Sequence, residues 1–285
     1  MTKISPGDAY EIVAGTAPTP LILLCDHASN AVPAEYGDLG IAPAQFARHI
    51  AYDIGARDLT LGLAARLNAP AVLSRFSRLL IDPNRGLDDP TLIMRISDGA
   101  AVPGNRHVDE GERQRRIERF HAPYHRAVAD TIRATQGQGV TPLIASIHSF
   151  TPVWRGWPRP WHVGILWDRD ETIATAMIRG FAAQGDLVVG DNEPYHGALE
   201  GDTLNTHGTV PGLPHALIEV RQDLIAAKTG VDDWVERVAR VIPVYEDGMA
   251  MFDRQRFRAS HQRFKDAEAI LPGFRNLDSM MIVCE

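Results

Sequence analysis

Short apolar runs that end in clusters of polar side chains recur along the chain. Leu21-Ile22-Leu23-Leu24-Cys25 leads straight into Asp26-His27-Ala28-Ser29-Asn30. A run of that length suits a strand buried on both faces. The runs at Ala71–Ser74, Leu79–Ile81, Leu143–Ile147, Val163–Trp167, Leu187–Val189 and Ala216–Ile218 read the same way. Helical patterns lie between them. One opens at Pro43 and runs to about Asn68, which would set His49 and Asp53, at i and i+4, on one face. Another starts at Asp109 or Glu110 and continues past Tyr124 towards Thr135, with Pro123 expected to kink or divide it. A third covers Glu171 to Gln184, and a fourth begins near Asp232, with Trp234, Val235, Val238 and Val241 on its apolar side. Residues 1–20 read as a polar arm, 86–108 as a long loop, and 151–161 as a loop rich in Trp, Arg and Pro. The pattern is weakest after about residue 250. Strands alternating with helices predict an α/β fold with helices on both faces of a sheet, and sites at the C-terminal ends of its strands. With no repeat and no linker, one domain spanning 1–285 is expected.

Composition narrows the function classes. At 285 residues and 45% hydrophobic, the chain can bury a large core. Lys+Arg of 29 against Asp+Glu of 36 gives a net charge of −7, which speaks against a nucleic-acid partner. Cys25 and Cys284 lie too far apart in sequence to suggest a disulfide framework, so a reducing, cytoplasmic setting is expected. Met1 to Gly15 lacks a charged-then-apolar signal pattern, and no apolar run approaches the roughly 20 residues of a membrane span.

Three apolar runs end in residues suited to metal chemistry: His27, His148 and Glu219. A hydrolytic zinc site takes three His or carboxylate ligands, and a further carboxylate outside the shell can take a proton from water. Plainer accounts stand beside this one. There is no H-E-x-x-H, and a histidine at a strand end can equally be a hydrogen-bonded structural residue. Asp53 can pair with His49 or an arginine. Asp82-Pro83-Asn84-Arg85 fits a turn, although Arg85 could also offer a bidentate fork, and Asn84 an amide donor, to a carboxylate. The tryptophans and arginines of 154–161 can pack as cation–π pairs. Glu219, Arg221 and Asp223 can form an ion-pair ladder on one strand face.

Taken jointly and in order, several strings resemble the N-formylglutamate amidohydrolase family. They are Cys25-Asp26-His27-Ala28-Ser29-Asn30, His49-Ile50-Ala51-Tyr52-Asp53-Ile54-Gly55-Ala56, Ser77-Arg78-Leu79-Leu80-Ile81-Asp82-Pro83-Asn84-Arg85, Pro103-Gly104-Asn105, Pro123-Tyr124-His125, Ile147-His148-Ser149-Phe150-Thr151-Pro152, Asp191-Asn192-Glu193-Pro194-Tyr195 and Glu219-Val220-Arg221-Gln222-Asp223. The resemblance implies a three-layer α/β sandwich, a mixed, mainly parallel sheet flanked by helices, like that of zinc carboxypeptidases and aspartoacylase. It also implies zinc-dependent hydrolysis of the formyl or another N-acyl amide of an acidic amino acid, and by the family name a link to histidine degradation. The first ligands of that wider superfold come as His-x-x-Glu, whereas His27 is followed by Asn30. The resemblance then implies His27, Asp53 and His148 as ligands of one Zn²⁺, with Asn30 as the alternative middle ligand. It implies Glu219 as general base and Asn84 and Arg85 as the substrate-carboxylate clamp; beside these, Arg78 is expected as an oxyanion donor and Arg159, from the Trp-rich loop, as a second clamp. The competing expectations are an amidase of different substrate on the same scaffold and a non-catalytic binder of an acidic metabolite.

Overall fold

A computed structural model describes residues 9–15 and 19–242. Its strands and helices follow in the order β1 (Tyr10–Val13), β2 (Leu21–Cys25), α1 (Ala56–Leu67), β3 (Ala71–Ser74), β4 (Ile96–Ser97), β5 (Ala100–Ala101), α2 (Glu110–Arg116), α3 (Ala122–Gln136), β6 (Leu143–Phe150), β7 (Val153–Trp154), β8 (Trp157–Pro158), β9 (Val163–Leu166), α4 (Thr172–Ala182), β10 (Val189–Asp191), β11 (His215–Arg221), α5 (Gln222–Ile225) and α6 (Lys228–Val241). Seven strands form one sheet in the order β1-β3-β2-β6-β11-β9-β10. β2 runs parallel to both β3 and β6, β11 is parallel to β6, and β10 is parallel to β9. The β1–β3 and β11–β9 pairs are antiparallel. Helices cover both faces, as expected for the three-layer α/β class.

Alternation along each strand sorts side chains between two cores. Leu21, Leu23 and Cys25 of β2, with Leu143, Ala145 and Ile147 of β6, pack against α1, α4 and α6. Ile22, Leu24 and Ile144 face the other way, against Tyr124, Val128 and Ile132 of α3. The same parity puts Ser146 and His148 of β6, and Leu217 and Glu219 of β11, on the α3 side. Both strands are longer than the apolar runs suggest, so His148 and Glu219 lie within strands rather than beyond them.

Several elements differ from expectation for physical reasons. The helix from Pro43 to Asn68 is broken: a 3-10 turn spans Pro43–Ala47, and α1 starts only at Ala56. Gly55 interrupts it with φ 79°, where a Cβ would lie 2.2 Å from the Ile225 carbonyl oxygen. His49 and Asp53 therefore share no helix face, and the Asp53 amide donates to the His27 carbonyl at 2.9 Å. Leu79-Leu80-Ile81 is fully buried yet is no strand. Side chains replace strand neighbours there: Asn105 Nδ2 donates to the Leu79 carbonyl at 2.7 Å and Arg116 Nη1 to the Leu80 carbonyl at 2.8 Å. Division of the helix at Pro123 takes the form of a π-helical turn over Ile117–His121 between α2 and α3. β1, inside the polar arm, adds an edge strand that the pattern does not announce, and β7 and β8 form a hairpin in the Trp-rich loop. β10 starts at Val189, two residues later than expected, and α6 starts at Lys228, four residues earlier. Cys25 is a buried free thiol, while Cys284 and the segment after residue 250 lie outside the described residues. Among the described residues no helix is long and apolar enough to cross a membrane.

Candidate active site

His27 stands on the turn after β2, Asp53 on the turn before α1, and His148 near the end of β6. All three are buried, and their ligand-type atoms lie within 4.8 Å of one another. Asp53 Oδ2 is 2.9 Å from His148 Nδ1 and 3.4 Å from His27 Nδ1. The other ring nitrogen of each histidine meets a second buried carboxylate: His27 Nε2 is 2.7 Å from Asp82 Oδ1, and His148 Nε2 is 2.9 Å from Asp26 Oδ2. A carboxylate accepts, so each Nε2 carries the proton and each Nδ1 of a neutral ring presents a lone pair towards Asp53. Two lone pairs and one carboxylate facing each other repel unless a cation sits among them. Without a metal, a proton plays that part: burial pulls the His148 pKa down, but hydrogen bonds to Asp26 and Asp53 prevail and raise it well above that of an ordinary imidazole. Desolvation would raise the Asp26 and Asp53 pKa values, yet the two histidines hold both carboxyls below their ordinary range. Carboxylate–histidine pairs behind a three-donor cluster are the arrangement that orients imidazole for a metal, so these residues fit a divalent cation.

The supporting carboxylates are themselves fixed. Asp26 accepts from Tyr124 Oη at 2.9 Å, Thr203 Oγ1 at 2.6 Å and Ser146 Oγ at 2.9 Å. Asp82 Oδ2 accepts from Arg78 Nη2 at 2.9 Å, and Arg78 Nη1 lies 3.4 Å from Asp53 Oδ1. Arg78 thus ties Asp53 and Asp82 together while facing a cleft of about 370 Å³.

Glu219 lies beside His148 in register on the adjacent parallel strand. It lines the same cleft, and its Oε2 is buried with no hydrogen-bond partner among the described residues. Burial, reinforced by the Asp53 charge against the pull of the histidines and Arg78, pushes its pKa up to about 7. A carboxyl poised there exchanges protons readily at neutral pH. Across β11 the partner of Glu219 is Gly164 of β9. A Cβ on Gly164 would come 1.9 Å from the Glu193 carbonyl oxygen, so only glycine admits the 191–195 loop that brings Tyr195 to the cleft.

The N-formylglutamate amidohydrolase family profile matches residues 19–226. The chain belongs to the N-formylglutamate amidohydrolase family. The crystal structure of gene product Atu2144 from Agrobacterium tumefaciens is similar, with 34% identity over 85% of this chain and 97% of that one, at a TM-score of 0.79. The crystal structure of N-formylglutamate amidohydrolase from Ralstonia eutropha JMP134 shares the fold at 19% identity, covering 85% of this chain and 97% of that one, with a TM-score of 0.65. No curated protein sequence matches.

For this amidohydrolase-family chain, the remaining residues singled out from sequence take different positions. Asn84 and Arg85 line the cleft. The Thr203 amide donates to Asn84 Oδ1 at 3.1 Å, which leaves the Asn84 amide nitrogen as a donor to the cleft. Arg85 is anchored by Nη1 to the Asn84 carbonyl at 2.7 Å and by Nε to Thr91 Oγ1 at 3.2 Å. Arg159 does not line the cleft. Its guanidinium sits under Trp154, Phe150 and Tyr195, donating to Tyr195 Oη at 3.0 Å. Asn30 also stands apart from the donor cluster, its amide donating to the Phe46 carbonyl at 2.8 Å. Glu219 does not join a ladder with Arg221 and Asp223, which pair with each other across the start of α5. Sequence reasoning passed over Asp26 and Asp82 as partners of the histidines, although Asp26 adjoins His27 and Asp82 opens the Asp82-Pro83-Asn84-Arg85 string. It also missed Asp202, a buried residue of the cleft whose pKa burial raises to about 6.

Proposed function

We propose that the protein is a metal-dependent amidohydrolase that removes the formyl, or another short acyl, group from an N-acyl amino acid. N-formylglutamate is the reference substrate, giving formate and glutamate. The observation that carries this reading is the buried His27–Asp53–His148 donor set with Glu219 beside it in one cleft. Those three residues would hold the ion, and two imidazoles with one carboxylate suit zinc. When bound, zinc supplies Lewis acidity to the amide carbonyl and to water. Glu219 takes the proton from the attacking water and returns it to the nitrogen as the C–N bond breaks. Arg78, locked by Asp82 and Asp53, presents a guanidinium to the oxygen that gains negative charge. The Asn84 amide nitrogen and Arg85 bind the substrate carboxylate. Arg159 acts on the substrate through Tyr195, whose hydroxyl it holds. A non-catalytic binder would have no use for a buried carboxyl oxygen, Glu219 Oε2, that has no hydrogen-bond partner among the described residues.

One observation favours a second reading, an amidase for N-acyl amino acids with neutral side chains. Beyond Arg78 and Arg85 no arginine lines the cleft among the described residues, and Leu166, Leu199 and Leu217 form part of its wall. Formate release from N-formylglutamate and from N-formylleucine, before and after chelation, decides these questions. Release that chelator abolishes and zinc restores is expected. Glu219→Gln should retain the metal and lose roughly 10²–10⁴-fold in turnover. Turnover indifferent to chelator, or a Gln variant as active as wild type, rules the mechanism out.

A further inference from the structure

Pro123-Tyr124-His125 takes no part in the chemistry above, yet it touches the support of His148 and the loop that carries the support of His27. Tyr124, fully buried, donates to Asp26, the partner of His148. His125, the next residue of α3, turns to the Asp82–Arg85 loop, where its Nε2 lies 2.9 Å from the Pro83 carbonyl oxygen. Pro83 has no amide hydrogen, so its carbonyl is the one backbone polar group by which it can be tied. One helical turn earlier, His121 Nε2 lies 3.0 Å from the Arg85 carbonyl. The carbonyls of Pro83 and Arg85, the residues on either side of Asn84, are thus each held by a histidine ring.

The network dictates the proton positions. A carbonyl only accepts, so His125 Nε2 is the donor and Nδ1 of the neutral ring is an acceptor. Its Nδ1 is 2.9 Å from His207 Nε2, so His207 donates to it from the π-helical turn Asn205–Thr209. The rings lie against one another, with centroids 4.2 Å apart for His121 and His125 and 5.2 Å for His125 and His207. Burial first, and the neighbouring imidazole second, push the pKa values of His121 and His125 down to about 4, so both are neutral at neutral pH. Neutral rings act on a bound carboxylate by placing its partners rather than by charge.

We infer that His125, backed by His207, is a positioning residue for the substrate-carboxylate clamp. By holding the Pro83 carbonyl it fixes where the Asn84 amide and the Arg85 guanidinium stand. The inference rests on the reading of Asn84 and Arg85 as that clamp. A clamp displaced by about 1 Å can cost on the order of 10²-fold, so the expected effect is on substrate binding.

Two substitutions separate the two hydrogen bonds of the ring. His125→Gln puts an amide nitrogen near the place of Nε2 and can still donate to Pro83. His125→Asn puts an amide oxygen near the place of Nδ1 and can only answer His207. In the zinc-loaded enzyme, His125→Asn should raise KM for the preferred N-formyl amino acid roughly tenfold, with kcat and metal content held, and His125→Gln should restore most of the loss. Equal KM values in the two variants, or a loss confined to kcat, overturn the inference. A wild-type protein inert to every N-acyl amino acid would sink the proposed function instead, so a second measurement needs no turnover. In ¹⁵N NMR spectra of the wild type, His125 and His207 should be neutral Nε2–H tautomers at neutral pH. The Asn84 side-chain amide and Arg85 Nε signals should move in His125→Asn and stay in His125→Gln. Signals that move equally, or not at all, overturn the inference, as does an Nδ1–H tautomer at His125.

Discussion

Glu219 combines burial, an Oε2 without a hydrogen-bond partner among the described residues and a location beside His148, and burial drives its raised pKa. That shift has a thermodynamic consequence that can be read without substrate. The folded protein holds the Glu219 proton up to about pH 7, against an ordinary carboxyl value of 4.5. The folded state therefore favours the protonated form. Its advantage is complete below the ordinary value, falls as pH rises between the two values, and is gone above the folded one. Glu219→Gln removes this titration. In metal-free protein, the melting temperature of the Gln variant relative to wild type should increase from about pH 5 to about pH 8. A difference that stays flat with pH would show that Glu219 titrates normally. At this scale much was legible. His27, His148 and Glu219 stand out because a polar residue after an apolar run has few places to go except a strand end or a site. Asp26 and Asp82 were harder to read, because adjacency to His27 or Pro83 says nothing of which ring nitrogen a carboxylate will meet.

At the scale of elements, the turn from Arg48 to Gly55 shows how a residue reaches the right place by an unforeseen route. A helix from Pro43 to Asn68 would carry Asp53 on its face. Instead the chain unwinds, and Asp53 arrives on a turn whose amide is tied to the His27 carbonyl. The sequence pattern cannot show this, because a lone glycine is tolerated in a helix at a cost of about 1 kcal/mol. What interrupts the helix is the close approach of Ile225, far along the chain. Gly55→Ala should therefore be costly, with φ of 79° and a Cβ 2.2 Å from the Ile225 oxygen. A loss of about 1–3 kcal/mol, seen as a fall in melting temperature of roughly 2–10 °C, is expected, together with weaker metal uptake as Asp53 shifts. An unchanged melting temperature would mean that the turn relaxes freely. The register of β6 with β11 is the other element-level decision. It sets Glu219 opposite His148, and a slip of one residue would turn Glu219 to the opposite face of the sheet.

Over the whole molecule, buried charge gathers at one end of the sheet. Asp26, Asp53, Asp82 and Glu219 are all buried there, while among the arginines of the described residues only Arg78 and Arg85 line the cleft. On the proposed function, a divalent cation held by His27, Asp53 and His148 would relieve that excess and favour the folded state, where alone the three donors converge. Zinc at about 100 times its dissociation constant should stabilise the protein by roughly 2.7 kcal/mol, or about 5–10 °C in melting temperature. The His27→Ala/His148→Ala double variant should show no such shift, and an equal shift in that variant would put the metal elsewhere. The sequence by itself determined the α/β class, most of the strands, and the residue types from which the site is built. These follow from local periodicity and from the tendency of polar residues after buried strands to lie at the strands' C-terminal ends. Tertiary structure alone decided the rest: which carboxylate joins the two histidines, which nitrogens carry protons, why Arg159 serves Tyr195 rather than the cleft, and how His125 reaches Pro83. Those outcomes depend on contacts between segments distant in sequence, where burial and distance fix each partner and no local pattern encodes them.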